Sequence, residues 1–153
     1  MLHTLQTKQF IKSDIQTVWD FMSSPENLEK ITPTYMGFKI LSDLNNSKMY
    51  PGQIIEYYVT PVAGIKMHWV TEITHVKNLE FFVDEQRFGP YAFWHHKHFL
   101  KQVDGGVEMI DIVHYKAPFG IIGRIANTMF IEKKIKEIFD FRYKKLEEIF
   151  NLQ

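Results

Sequence analysis

Apolar residues change their spacing along this chain, and the change divides it in two. From Gly120 to Phe150 they recur mostly three or four apart, at Ile122, Ile125, Met129, Ile131, Ile135, Ile138, Phe139, Leu146 and Ile149. That spacing predicts one long helix over residues 120–150, about 30 residues and roughly 45 Å at 1.5 Å per residue. Its first half is apolar on more than one side and is expected to be buried. Its second half carries Lys133, Lys134, Lys136, Glu137, Lys144, Lys145, Glu147 and Glu148, and is expected to keep a single apolar stripe.

Before residue 120 the period is mostly two. Ile65, Met67, Trp69, Thr71 and Ile73 alternate with Lys66, His68, Glu72 and Thr74, the clearest strand signal in the chain. Further strands are predicted over His3–Ile11, Gly37–Leu41, Gln53–Thr60, Leu79–Gln86, Tyr91–Gln102 and Val107–Lys116, the last two joined at Asp104-Gly105-Gly106. His75 to Asn78 reads as a turn. After the first strand come two short helices. Ser13 or Asp14 caps one, with Val18, Trp19, Phe21 and Met22 on its apolar face. Ser24-Pro25-Glu26 opens the other, with Leu28 and Ile31 inward and Pro33 ending it. This order predicts an α+β fold: an antiparallel sheet of about seven strands curved around the long C-terminal helix, with the short helices plugging one end.

Composition narrows the function. A chain of 153 residues suits one domain, 1–153. The aromatic fraction, 15%, is high, and thirteen Phe, seven Tyr, three Trp and seven Met can fill a core or line a wide cavity. Zero formal net charge argues against nucleic acid as a partner. The Lys133-Lys134-Lys136 run is short and balanced by Glu132 and Glu137. The absence of cysteine excludes disulfides and thiol nucleophiles. Residues 1–10 are too polar for a signal peptide, and no apolar run reaches the length of a membrane span. The expectation is a cytoplasmic monomer or homodimer with no stable membrane insertion.

Candidate chemistry concentrates in Phe93-Trp94-His95-His96-Lys97-His98-Phe99. Alternation places Trp94, His96 and His98 on one face. Met109, Asp111, Val113 and Tyr115 share a face of the next strand, and Phe82, Asp84 and Gln86 share one of the strand before. Parity does not say which faces are inward. If they coincide, a His–Asp cluster results, whose members must bond to one another or be wet. Its simplest role is structural. His96 or His98 oriented by Asp84 or Asp111 is instead a candidate acid–base pair. His96 and His98 could ligate zinc with an aspartate, but no second close-spaced ligand pair exists, so no metal is expected. No Gly-x-Ser-x-Gly elbow is present, and Gly120-x-x-Gly123 is not a dinucleotide fingerprint, so no cofactor is expected.

The order of elements, with Phe82-Val83-Asp84-Glu85-Gln86, Gly89-Pro90-Tyr91, Trp94-x-His96-x-His98, Met109-x-Asp111-x-Val113-x-Tyr115 and Pro118-Phe119-Gly120, resembles the START and birch-pollen-allergen-like (SRPBCC, helix-grip) superfamily. Within it the chain is most similar to the bacterial ligand-binding, polyketide cyclase/dehydrase-like group. The resemblance implies a seven-stranded sheet gripping the helix and a cavity that holds a small hydrophobic or aromatic molecule, lipid or polyketide. Candidate cavity residues are Tyr57, Trp69, Phe82, Gln86, Trp94, His96, His98, Met109, Asp111 and Tyr115 on the sheet, and Ile122, Ile125 and Met129 on the helix. Two alternatives stand beside ligand binding. One is a cyclase or dehydratase using the His/Asp pair. The other is a protein-interaction or co-chaperone-like module using outer-face residues such as Tyr58, Phe93 and Phe99.

Overall fold

The computed structural model describes residues 1–45, 47–62, 64–118 and 130–152. Strand β1 (His3–Ile11) leads into helix α1 (Ile15–Met22) and two 3-10 turns, Pro25–Ile31 and Thr34–Met36. Then follow β2 (Lys39–Ile40), β3 (Gln53–Val62), β4 (Ile65–Lys77), β5 (Phe81–Phe88), β6 (Phe93–Val103) and β7 (Gly106–Lys116). Helix α2 (Glu132–Leu146) closes the order and widens at Glu147–Asn151, where Leu152 N donates five residues back to the Glu147 carbonyl at 3.1 Å. The predicted start of the long helix, with Ile122, Ile125 and Met129, lies outside the described residues.

The seven strands form one antiparallel sheet in the order β1-β7-β6-β5-β4-β3-β2. Consecutive strands from β2 to β7 are neighbours, as short turns require, and β1 returns to the far edge beside β7. Alternation decides what points inward. On β7, Val107, Met109, Asp111, Val113 and Tyr115 are buried; on β6, His96, His98 and Leu100 are. Helix α2 answers with Ile135, Phe139, Arg142 and Leu146, spaced four, three and four apart along one stripe. Burying Ile135 or Leu146 contributes about 1.5–3 kcal/mol each.

The two short helices differ in kind. Asp14 caps α1 through Thr17 N (2.9 Å) and Thr17 Oγ1 (2.6 Å). The second is a 3-10 segment with Pro25 at its start. Its bonds span three residues, from Asn27 N to Ser24 O and from Thr32 N to Glu29 O. Trp19, Met22, Ile31, Leu44, Leu100 and Leu146 form a solid core under α1. The opposite end is aromatic, built on Met36, Val59 and Trp69 with Phe38, Tyr57, Tyr91 and Trp94.

Most strand boundaries move by about two residues from the pattern, and one predicted turn lies inside a strand. β4 runs on through His75 to Lys77, and the turn falls later, where Leu79 takes a left-handed φ of 63°. Two register shifts in the β4–β5 pairing, between Val70 and Thr71 and between Ile73 and His75, interrupt the period of two there.

Candidate functional site

Three neighbouring strands and α2 build the polar centre. His96 and His98, two apart on β6, turn both rings inward, with centroids 3.7 Å apart. Strand pairing sets Asp84 of β5 opposite His96, and Asp111 of β7 opposite His98. The hydrogen bonds run diagonally instead. His96 Nε2 meets Asp111 Oδ1 at 2.9 Å, and His98 Nε2 meets Asp84 Oδ2 at 2.8 Å. The other ring nitrogens also face carboxylates: His96 Nδ1 lies 3.4 Å from Asp84 Oδ2, and His98 Nδ1 lies 2.8 Å from Asp111 Oδ1. The last contact is close but lacks hydrogen-bond alignment. Phe82 stacks on His98 at 4.1 Å, and Phe139 presents itself to His96 at 5.4 Å.

Arg142 of α2 brings its Nη1 to 3.9 Å from Asp111 Oδ1, with its guanidinium 5.0 Å from the Phe139 ring. Its Nε and Nη1 are buried without a hydrogen-bond partner among the described residues.

Burial acts on every member of this cluster, and their partners decide the outcome. Burial would raise the Asp111 carboxyl, but hydrogen bonds and charge from His96 and His98 hold it well below its usual range. The same contest, with His96, His98 and Arg142 opposing burial, keeps Asp84 low. Burial and the neighbouring His98 push His96 down to about 4. For His98, the close contact with Asp111 and the hydrogen bond to Asp84 outweigh burial, and its pKa rises. Of the two imidazoles, His98 is the more readily protonated.

Above this floor lies a cavity of about 110 Å³, far more than the roughly 10–15 Å³ needed by one water. Its walls are Phe38, Tyr57, Val59, Trp69, Tyr91 and Trp94 toward the aromatic end, with Ile55, Ile73 and Phe82 lower down. Ile135, Ile138 and Phe139 of α2 face them, and Leu28, Thr32, Met36 and Met49 close the side. Trp69 sits among Tyr57, Tyr91 and Trp94, with ring centroids 5.7, 5.6 and 5.4 Å away. Its Nε1 is buried with no acceptor among the described residues. The Tyr57 hydroxyl is satisfied by Thr71 Oγ1 at 2.8 Å, and burial raises its pKa.

Among the residues singled out by pattern, Tyr57, Trp69, Phe82, Asp84, Trp94, His96 and His98 border this cavity. Met109 and Asp111 lie behind it, beside a small void shared with Gln9 and Tyr143. Tyr115 borders a separate pocket with His3, Leu5 and Lys136. Gln86 does not border the main cavity. Its amide clamps the β5–β6 turn, donating to Tyr91 O at 2.7 Å and accepting from Tyr91 N at 3.1 Å. Arg142, Tyr91 and Thr71 were not anticipated. Arg142 could have been found, because it falls on the same helical stripe as Phe139 and Leu146. The expectation of no metal rests on the lack of a second close-spaced ligand pair beside His96 and His98. Strand pairing adds Asp84 to His96 and His98, with ligating atoms all within 4.8 Å of one another.

No family model and no curated protein matches the sequence. Solved structures do match. A START superfamily protein from Mycobacterium smegmatis superposes with a TM-score of 0.72 at 12% identity, over 98% of each chain. Ara h 8.0201 superposes at 0.62 and 12% identity, over 97% of this chain and 99% of its own. The protein has the START-like helix-grip fold. A third helix-grip match, TTHA0849 from Thermus thermophilus, gives 0.68 at 16% identity over 95% of each chain. At these identities the likeness concerns the fold. Among the described residues, no helix of this helix-grip protein is long and apolar enough to cross a membrane.

Proposed function

We propose that this helix-grip chain binds a small aromatic or apolar molecule bearing a hydrogen-bond acceptor, held between the sheet and α2. One observation carries the reading: an aromatic cavity lined by Arg142 and Trp69, whose buried donors have no hydrogen-bond partner among the described residues. Unpaired buried donors cost about 1–3 kcal/mol each, a cost that an acceptor on a ligand removes. The aromatic walls supply the apolar contact, and the few polar groups fix orientation.

The test compares 2-acetylnaphthalene with 2-ethylnaphthalene, near-isosteres with and without a carbonyl. Both should quench emission from Trp69 and Trp94, and the ketone should bind roughly tenfold tighter, the worth of one good buried hydrogen bond. Arg142→Met should narrow that gap while retaining the hydrocarbon. If neither compound alters tryptophan emission or adds mass in native mass spectrometry, the reading fails.

A further inference from the structure

We propose that Asp84, His96 and His98 form a transition-metal site open to the cavity, and that Asp111 holds both histidines in ligating orientation. The donor set comes first. His98 Nε2 and His96 Nδ1 converge on Asp84 Oδ2 at 2.8 and 3.4 Å. Metal–nitrogen and metal–oxygen bonds of about 2.0–2.2 Å place tetrahedral donors roughly 3.3–3.5 Å apart. The three ligating atoms lie within 4.8 Å of one another, so side-chain shifts on the order of 1 Å bring them to the spacing of a bound ion.

The second observation lies on the far side of the rings. The nitrogens not aimed at Asp84, His96 Nε2 and His98 Nδ1, both meet Asp111 Oδ1, at 2.9 and 2.8 Å. A ligating histidine commonly donates its other ring N–H to a carboxylate, which fixes the tautomer. Here one buried carboxylate serves two histidines at once. Asp111 stands outside the cavity, whereas Asp84, His96 and His98 border it. Coordination positions beyond the three protein donors therefore face open space, as in sites that exchange ligands rather than sites that are purely structural.

Two imidazoles and one carboxylate suit Zn²⁺, Co²⁺ or Fe²⁺. With a divalent ion bound and both histidines neutral, Asp84, Asp111 and Arg142 leave one net positive charge. The open side accordingly favours an anionic oxygen donor, with Arg142 on the wall of the same cavity. The proposal does not depend on the organic-ligand reading, because its test uses the metal alone.

The intact chain, freed of metal with EDTA and dialysed, is titrated with Co²⁺. One equivalent should bind with a visible ligand-field band of low coordination number. His96→Ala and Asp84→Asn should abolish the band. Asp111→Asn should keep the stoichiometry and weaken binding roughly 10–100-fold. His95→Ala, on the outer face, should change nothing. In the unmutated chain, Zn²⁺ should shift the ¹⁵N resonances of His96 Nδ1 and His98 Nε2 while their other nitrogens stay protonated. This measurement holds even where a variant fails to fold. No visible band with Co²⁺, unshifted His96 and His98 nitrogens, or binding lost with His95→Ala and kept with His96→Ala would each overturn the proposal.

Discussion

His96 and His98 share a strand and a face, and burial disfavours a proton on both. Both face Asp84 and Asp111; at His96 burial and the neighbouring His98 outweigh the carboxylates, whereas at His98 the carboxylates outweigh burial. The groups facing them are Asp84 from β5, Asp111 from β7 and Arg142 from α2. In the metal-free protein the consequences for stability have opposite signs. His96 titrates at about 4 when folded and at 6.5 when unfolded, so its contribution is complete above 6.5 and is lost as pH falls from 6.5 toward 4. His98 is raised, so its contribution is complete below 6.5 and is lost as pH rises through its folded value. The low aspartates contribute above 3.8 and lose that contribution as pH falls through their depressed values. Urea unfolding in EDTA should therefore show stability falling between pH 6.5 and 4, by on the order of 3 kcal/mol from His96. His96→Gln should flatten that limb, and an unchanged limb would assign it to another group. The shared face of these histidines was legible in the alternation of Trp94, His96 and His98, but not that it points inward. Their partners were not, because the register that sets Asp84 opposite His96 depends on the turn at residues 89–92 and on the shifts in β4. Arg142 was hidden by its charge, which reads as a solvated face.

At the scale of elements, the β1–β7 pairing tolerates little change at Gly106. A β-carbon there would collide with the Ile11 carbonyl oxygen and lie 2.8 Å from Phe10 Cζ. Gly106→Ala should destabilise the protein by roughly 1–3 kcal/mol or more, read as a lower urea midpoint with an unchanged slope. Wild-type stability in that variant would mean that β1 shifts freely against β7. The hairpin carrying this glycine was legible, since Asp-Gly between alternating runs names its own turn. β1 was only half legible. Its period of two is clear, but its inner face includes Gln9, which is polar, buried and bonded to Tyr143 O and Glu147 Oε1, each at 2.9 Å. Those partners lie more than a hundred residues away, where local pattern cannot reach. The stripe of α2 was legible as Ile135, Phe139 and Leu146, whereas the 3-10 form of Pro25–Ile31 was not, because capping and proline signals serve both helix types.

The molecule as a whole is uneven, solid beneath α1 and hollow toward Trp69. Atoms lining the cavity lack partners across the gap, so a molecule that fills it supplies the dispersion attraction they are missing. At one hundred times its dissociation constant, 2-acetylnaphthalene should raise unfolding stability by about 2.7 kcal/mol. A thermal-shift series over concentration measures this, and a midpoint independent of concentration would argue against occupancy of the folded form. The strand order has a further consequence, for the time course of synthesis. β1 is translated first but hydrogen-bonds to β7, with Ile11 opposite Val107 and His3 opposite Tyr115. Translation at about 5–20 residues per second separates the two by roughly 5–20 s. Through that interval the meander from β2 onward can assemble hairpin by hairpin on the ribosome, while β1 waits with its backbone unpaired. The first strand of this sheet to be made is thus the last to find its place, and loop closure across the whole sheet makes that step the slow one.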